Sequence, residues 1–393
     1  MTANERGASA EYRPARTRAE VDIARELIFK SFGPSYFEIK DIKDLQAAAE
    51  PDQHDSENYV LAVMDGAVVG TLHYYPQEVS ISGVKARIAT LAEFCVTPEA
   101  ARQFVGLALL SRTLELIAAR GFPICIGAAR RAMDDYYRRV GFSGVGAYCR
   151  VEIEKPCHAR HRGSVTLRPF NGSHVPAYDA AHRATYEGQS CFFPRAEGRW
   201  GLIGELARRG LGPRFAEFGP DDDPSGYVIW DGEALLEVAF RRDDVDLPSI
   251  LDVLPGTTDR PISSLLLSFR HPVLSALADA DLSLTHRRIP HAGQIAKILD
   301  RDAFLQLARQ VFTSRMRHAR LPAFQLAHDG VRFDWTDSSG LRIDADSNAM
   351  ADRRLLWLFF RGVDSVDALS LCDPAWTAAF PEQHFTWSVL DGG

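Results

Sequence analysis

Val96-Thr97-Pro98-Glu99-Ala100-Ala101-Arg102-Gln103-Phe104-Val105-Gly106-Leu107-Ala108-Leu109-Leu110 is the stretch that decides the reading of this chain. The β-rich residues Ile88 to Val96 predict a strand, and a turn at Thr97 and Pro98 ends it. Leu107, Leu110, Leu114 and Ile117 then share one face of a helix that runs to Arg120 and stops at Gly121. Such a helix packs on a sheet, with its N-terminus at the carboxyl end of the preceding strand. Backbone N–H groups without intrahelical partners point outward there and favour an anion. Gly106 lets a ligand approach the backbone, and the spacing Gln103-x-x-Gly106-x-Ala108 orients successive amides toward one pyrophosphate. A plain strand–turn–helix with a glycine gives the same pattern, so a second motif is needed.

Toward the N-terminus, Tyr12 to Arg16 predicts a short strand, and Thr17 and Glu20 have capping-box spacing before a helix to about Phe32. Tyr59 to Met64, Asp65-Gly66 and Val68 to Tyr74 read as a hairpin. Toward the C-terminus come a strand at Ile124 to Gly127 and a helix at Met133 to Val140 stopped by Gly141. Alternating strands and helices imply an α/β domain. The basic, Pro- and Gly-containing run Lys155 to Ser164 reads as a linker. Beyond it, Arg168-Pro169 repeats Arg13-Pro14, and Tyr227 to Gly232 repeats the Tyr59 to Gly66 hairpin in the same order, which predicts a second copy. This copy continues with a helix near Ile262 to Phe269 and a strand near Leu282 to Ile289. From about Asp300, a helix-like segment Ala303 to Phe312 and alternating strands at Val331 to Trp335 and Leu341 to Ala345 predict a small α+β domain, with Leu355 to Phe360 as a buried element. The expected domains are 1–155, 164–300 and 301–393.

With 46% hydrophobic and 25% charged residues the chain is an ordinary globular protein. Its net charge of −7 offers no global attraction to nucleic acid or to an anionic membrane. No apolar run approaches the roughly 18–20 residues of a membrane helix, so a cytoplasmic location is expected. The cysteines form no CxxC pair and read as buried thiols rather than a disulfide framework. Cys157, His158 and His161 lack a fourth ligand, and no metal is expected. Asp221-Asp222-Asp223 reads as a solvated acidic loop. Phosphate-loop NTPase, zincin, nucleophile-elbow and dinucleotide fingerprints are all absent.

The second motif is Asp134-Asp135-Tyr136-Tyr137-Arg138-Arg139-Val140-Gly141-Phe142. Together with the first it resembles the GNAT acyltransferase family, whose phosphate loop reads Arg or Gln-x-x-Gly-x-Gly or Ala and whose last helix reads Phe-Tyr-x-x-x-Gly-Phe. The resemblance covers about Tyr12 to Ile153. It implies a mixed-sheet α/β fold in tandem copies, acetyl-CoA as acyl donor and no metal. Gln103, Gly106 and Ala108, with Arg102, Phe104, Val105 and Leu107 between and beside them, match the pyrophosphate loop. Val96 matches the strand residue whose backbone holds the acyl carbonyl, and Tyr137 the general acid. Acyl transfer from a thioester generates an oxyanion that backbone N–H groups stabilise, then expels a thiolate whose thiol has a pKa of about 8.5 and which Tyr137 can protonate. The attacking amine must first lose a proton; Glu93, two residues before Cys95 on the same strand, is the candidate base, directly or through water.

The whole layout resembles the enhanced-intracellular-survival type of aminoglycoside acetyltransferase, with tandem GNAT copies and a sterol-carrier-like C-terminal domain. In that family the C-terminal carboxylate can enter the active site; here the chain ends Trp387-Ser388-Val389-Leu390-Asp391-Gly392-Gly393, without the terminal aromatic. The expected function is an acyl-CoA-dependent N-acyltransferase acting on the amine of a small molecule such as an antibiotic or natural-product intermediate. Two alternatives stand beside it: an aminoacyl-tRNA or carrier-protein donor, the one form in which nucleic acid enters, and a catalytically silent acyl-CoA or drug-binding protein. Homo-oligomerisation is left open. One CoA per chain is expected, because the second-copy turn Pro255 to Pro261 carries Asp259 and a proline where donors are needed.

Overall fold

The computed structural model describes residues 10–32, 40–52, 54–129, 134–145, 148–153, 165–188, 191–211, 213–241, 247–254, 264–265, 274, 284–289, 293–363 and 374–380. In chain order the strands are β1 (Glu11–Pro14), β2 (Tyr59–Met64), β3 (Ala67–Ile81), β4 (Val84–Val96), β5 (Ile124–Ala129), β6 (Ser143–Gly144) and β7 (Tyr148–Ile153). These are followed by β8 (Arg214–Phe218), β9 (Gly226–Asp231), β10 (Ala234–Phe240), β11 (Ser264–Leu265), β12 (Leu284–Ile289) and β13 (Gly293–Ile298), then β14 (Phe324–His328), β15 (Val331–Thr336) and β16 (Gly340–Ala345).

The first sheet has the order β1-β2-β3-β4-β5-β13-β6, and the second β12-β7-β11-β10-β9-β8. Two hairpins build the centre of the first. Asp65-Gly66 and Ser82-Gly83 each place two consecutive residues at positive φ, the twist a two-residue hairpin turn requires. Strand alternation then separates the two faces. Cys125 and Ala129 pack with the helix Val105–Ala119, whereas Ile124 and Ile126 pack with the C-terminal unit. The helix Arg18–Phe32 covers the other end of that second face over Tyr59, Leu61 and Cys95.

The two sheets exchange strands. β13, far along the chain, inserts between β5 and β6, with Lys297 opposite Cys125 and Ala296 opposite Ser143. β7 leaves the first sheet and pairs with β11 and β12. The linear boundary near 155 is therefore crossed by one strand in each direction, because β7 and β13 each complete the sheet of the other segment. The linker between them lies outside the described residues.

The exchange also corrects the repeat. Arg168 bridges Glu217 of β8 as β1 pairs with β2, and β10 pairs in parallel with β11 as β4 does with β5. By position, β8, β9 and β10 thus match β2, β3 and β4. The hairpin at Tyr227 to Gly232 corresponds to β3–β4, one strand later than its sequence likeness to Tyr59 to Gly66 suggests. The helix expected near Ile262 to Phe269 is a strand at Ser264–Leu265, where a parallel partner is available; the rest of that run, and the turn Pro255 to Pro261, lie outside the described residues.

The last segment folds as a β14-β15-β16 meander under the helices Arg301–His318 and Ala349–Phe360, capped by the Asp300 and Asn348 side chains. Phe304, Phe312, Phe333 and Phe359 are wholly buried, and Leu355, Leu356, Leu358, Phe359 and Phe360 enter the core as expected. Arg315 joins this unit to the first: Nε donates to Ser82 Oγ at 2.8 Å in the β3–β4 turn, and Nη2 to the Phe359 carbonyl at 2.8 Å. Among the described residues no helix is long and apolar enough to cross a membrane.

Strand exchange predicts how the chain fails when cut. Fragments 1–163 and 164–393 each lack one strand of their own sheet. Neither is expected to give a cooperative thermal transition alone, and co-expression is expected to restore one. Calorimetry of the separate and mixed fragments checks this; an independently cooperative 1–163 would contradict it.

Candidate active site

β4 and β5 run in parallel only from Ala89 opposite Cys125 to Leu91 opposite Gly127. On its other edge β5 pairs with β13 along its whole length, while β4 continues with β3 as far as Val96 opposite Gly70. β4 and β5 part beyond Leu91, and among the described residues the end of β4, Ala92 to Val96, has no partner on that edge. Leu72 pairs with Phe94 but His73 pairs with Ala92, so Glu93 is an extra residue in β4, a bulge with φ of 34°. Ala89 and Leu91 face the helix Val105–Ala119, as do Phe94 and Val96 after the bulge. In an unbroken alternation Glu93 would share their face. The bulge turns it to the other, where its Oε2 meets His73 Nδ1 at 3.1 Å.

The loop after β4 starts with Thr97, whose hydroxyl accepts from Ala100 N–H, and passes through a short turn Pro98–Ala101. Phe104 then takes a left-handed conformation, with φ of 57°, before the helix Val105–Ala119. Its ring is 75% exposed, a costly arrangement for an aromatic residue that packs nowhere else. Leu107 and Ala108 N–H both turn back to the Phe104 carbonyl, at 3.2 and 3.4 Å. Val105 and Gly106 precede the first intrahelical bond, so their N–H groups form the open end. Arg102, Gln103 and Ala108 are exposed around it, Leu107 is half-buried, and Val105 and Gly106 are buried. A Cβ on Gly106 would lie 2.8 Å from Tyr136 Oη, 3.4 Å from Phe94 and 3.7 Å from Val96, so the glycine keeps a narrow passage against the end of β4.

The structure thus gathers Gln103, Phe104, Gly106 and Val96 at one place, with Glu93 on the opposite face of the same strand. The two tyrosines divide. Tyr136 brings its hydroxyl over Gly106 and its ring to Phe94 at 5.8 Å. Tyr137 turns into the sheet, edge-on to Phe142 at 5.6 Å. Burial pushes both phenols up to about 12, so both are protonated proton donors at neutral pH. Sequence reasoning selected Tyr137 and passed over Tyr136, whose approach to Gly106 depends on which way a short helix is rotated. It also passed over His73, which lies 20 positions from Glu93. Among the described residues there is no group of side chains that could hold a metal. Cys157, His158 and His161, and the tail Trp387 to Gly393, lie outside them.

Residues 11–145 match the family model of the acetyltransferase (GNAT) domain. This segment is a GNAT acetyltransferase domain, the domain of an acyltransferase enzyme. No curated protein sequence matches the chain significantly. Three solved structures share its overall fold along nearly their whole length. A GCN5-related N-acetyltransferase from Anabaena variabilis has 14% identity and a TM-score of 0.61, covering 97% of this chain and 98% of its own. Eis1 from Mycobacterium abscessus has 15% identity and a TM-score of 0.60, with 96% and 99% covered. A GCN5-related N-acetyltransferase from Kribbella flavida has 14% identity and a TM-score of 0.61, with 97% and 98% covered. At these identities the likeness is one of fold.

The second sheet repeats the GNAT strand order with different chemistry. Glu237 on β10, the counterpart of β4, is buried on the face of the helix Val175–Tyr186. Arg195 grips both its oxygens at 2.6 and 2.7 Å, and Tyr227 donates to it at 2.5 Å. Burial pushes this carboxyl up, but the guanidinium outweighs burial and holds it below the usual carboxylate range. Such a group cannot take a proton at neutral pH. The counterpart of the phosphate loop follows β10 and is not the turn Pro255 to Pro261 expected from the sequence: Arg241-Arg242-Asp243-Asp244-Val245-Asp246 has no Gly and three carboxylates, and residues 242–246 lie outside the described ones. Asp221 and Asp223 are ion-paired with Arg168 and Arg241 rather than only solvated.

Arg195→Leu leaves Glu237 buried without its guanidinium and is expected to destabilise the protein by about 3–5 kcal/mol. Adding Glu237→Leu should recover most of the loss. Because the Glu237 pKa is depressed, wild-type stability from this pair is present above the normal carboxylate range and lost as pH falls through it. Melting temperatures of the single and double variants between pH 3 and 7 check both statements.

Proposed function

We propose that the GNAT domain transfers an acetyl group from acetyl-CoA to the amine of a small molecule. The observation that carries this reading is the opening between β4 and β5, flanked by the Gly106 passage at a 15-residue helix N-terminus and by the bulge that turns Glu93 to the opposite face of β4. The residues present fit the donor. Val105 and Gly106 N–H, Gln103 and Arg102 suit the pyrophosphate, and Phe104 offers an exposed flat face beside it. When bound, acetyl-CoA supplies the activated acyl group as a thioester.

The chain's own residues then divide the work. The backbone of β4 at Val96 holds the acyl arm where the strand has no partner on its β5 side. Backbone N–H groups along that open edge stabilise the charge that develops on the carbonyl oxygen. Glu93 takes the proton from the acceptor ammonium, the nitrogen attacks the carbonyl carbon, and the carbon–sulfur bond breaks. Tyr137 gives its phenolic proton to the departing thiolate. The second unit, with its guanidinium-locked carboxylate and acidic loop, builds a wall for the acceptor. Its Arg199 pairs with Glu50 at 2.9 Å, where both side chains are nearly buried.

A thiol-release assay with acetyl-CoA across a broad panel of amines, with product masses, tests the reading. Absence of release with every amine would overturn it. Tyr137→Phe is expected to lower turnover by roughly 10²-fold with acyl-CoA affinity nearly unchanged, the signature of a group that acts when the thiolate leaves. Tyr136→Phe, run beside it, should affect acyl-CoA affinity more than turnover; the reverse pattern would transfer the acid role to Tyr136. Titration calorimetry should give one acetyl-CoA per full-length chain, and two would contradict the silent second unit.

A further inference from the structure

The bulge does not leave Glu93 by itself on the inner face of the first sheet. Its side chain is 2% exposed, and His73, whose Nδ1 stands 3.1 Å from Oε2, is wholly enclosed. The imidazole is stacked on Tyr59 at 3.8 Å with the rings 8° apart, and Tyr75 closes against it at 4.4 Å. Behind them, the Tyr59 hydroxyl meets His54 Nδ1 at 3.1 Å. The imidazole plane is thus fixed from two sides, and with it the direction of the Nδ1 bond.

This geometry answers a difficulty in the use of Glu93 as a base. Burial disfavours a charged carboxylate, and a carboxyl that is already protonated takes nothing from an ammonium ion. A hydrogen bond donated to the charged form acts the other way. Charged groups near this column are Arg18, Asp22 and Arg25 of the covering helix, which act on Tyr59. Arg25 is engaged by Asp44 at 2.8 Å. Tyr59 on β2, Tyr75 on β3 and His54 before β2 are the titratable neighbours of the imidazole. His73 stands at hydrogen-bond distance from the carboxylate.

We propose that His73 is a positioning residue for Glu93, keeping a proton on Nδ1 toward Oε2 so that the carboxylate meets the acceptor ammonium ionised and fixed in place. The inference rests on Glu93 as the base of the proposed transfer. The ammonium proton goes to Glu93, and His73 retains its own Nδ1 proton throughout. Tyr59, by stacking, keeps the ring from turning that proton elsewhere.

Two measurements on the full chain test it. Nitrogen-15 NMR of histidine-labelled protein should show a proton on His73 Nδ1; a bare Nδ1 overturns the proposal. In kcat/KM against pH, Glu93→Gln should remove the acidic limb. His73→Leu should move that limb up by about one pH unit or more, with turnover recovering on the alkaline plateau, and His73→Asn, which keeps a donor, should move it less. If Glu93→Gln leaves rate and limb unchanged, Glu93 is not the base and both readings fall. If it removes the limb while His73→Leu leaves the limb in place, His73 alone is excluded. Should His73→Leu not fold, the NMR signal and the asparagine variant decide.

Discussion

One extra residue in β4 governs the site. Without the bulge at Glu93, strict alternation would point this carboxylate at the helix Val105–Ala119, into the apolar layer of Leu91, Phe94 and Leu109. With it, the strand changes parity: Phe94 and Val96 stay on the face of the helix Val105–Ala119 and Glu93 crosses to His73. A left-handed backbone at a non-glycine residue costs about 1 kcal/mol or more, and it is retained because both faces of the strand need it. The same bulge lies where β4 loses β5 as a partner. Opening the edge and turning the carboxylate are thus one local event, and in the proposed transfer it separates a donor side from an acceptor side across the thickness of a single strand.

The sequence made the local devices legible and left the long-range ones hidden. Asp65-Gly66, the Asp300 cap and the Gln103 to Ala108 turn each report a conformation that neighbours in the chain already fix. The helix Arg18–Phe32 begins where Thr17 and Glu20 place it, although Glu20 bonds Arg16 N–H at 2.6 Å and the Arg13 guanidinium instead of closing a simple box. Strand exchange had no such signal. β7 and β13 are short strands of six residues each, and nothing in their alternation says which sheet they complete. The repeat misled for a related reason. Tyr227 to Gly232 resembles Tyr59 to Gly66 because hairpins share their turn chemistry, while the pairing of Arg168 with Glu217 sets the true register one strand away. Glu93 was readable from its place before Cys95; His73 was not, since its contact requires both the β3–β4 register and the bulge.

The two GNAT-like units show what one neighbour does to a buried carboxylate. Glu93 and Glu237 sit on corresponding strands, Glu93 on the face covered by the helix Arg18–Phe32 and Glu237 on that of the helix Val175–Tyr186. Beside Glu93 is an imidazole, a partner that can donate a hydrogen bond without fixing a permanent positive charge. Beside Glu237 is Arg195, a guanidinium that never releases its proton. The first arrangement suits the base of the proposed transfer, which must take up and release a proton. The second makes a structural ion pair, and its environment reflects that: His182, close by, is pushed down to about 3 by burial and by Arg195, and stays neutral.

Arg195 also explains how the locked unit stays useful. It belongs to the segment that carries Phe192, which exchanges two backbone hydrogen bonds of 2.8 Å with Ser80 on the outer edge of β3. β2 leaves that edge uncovered beyond His73, so the second unit caps the far half of β3 while its ion pair anchors the cap. The C-terminal unit takes the tip of the same hairpin, with Ser314 and Arg315 on Ser82. β3 and β4 are therefore held at the turn by one unit and along the edge by another, and the free end of β4 is the part left open. Rigid support at one end and an unpartnered edge at the other is what the proposed transfer requires, since a long flexible donor must enter beside a fixed Glu93. The later units of the chain act on the first by restraining this one hairpin at its turn and along its edge.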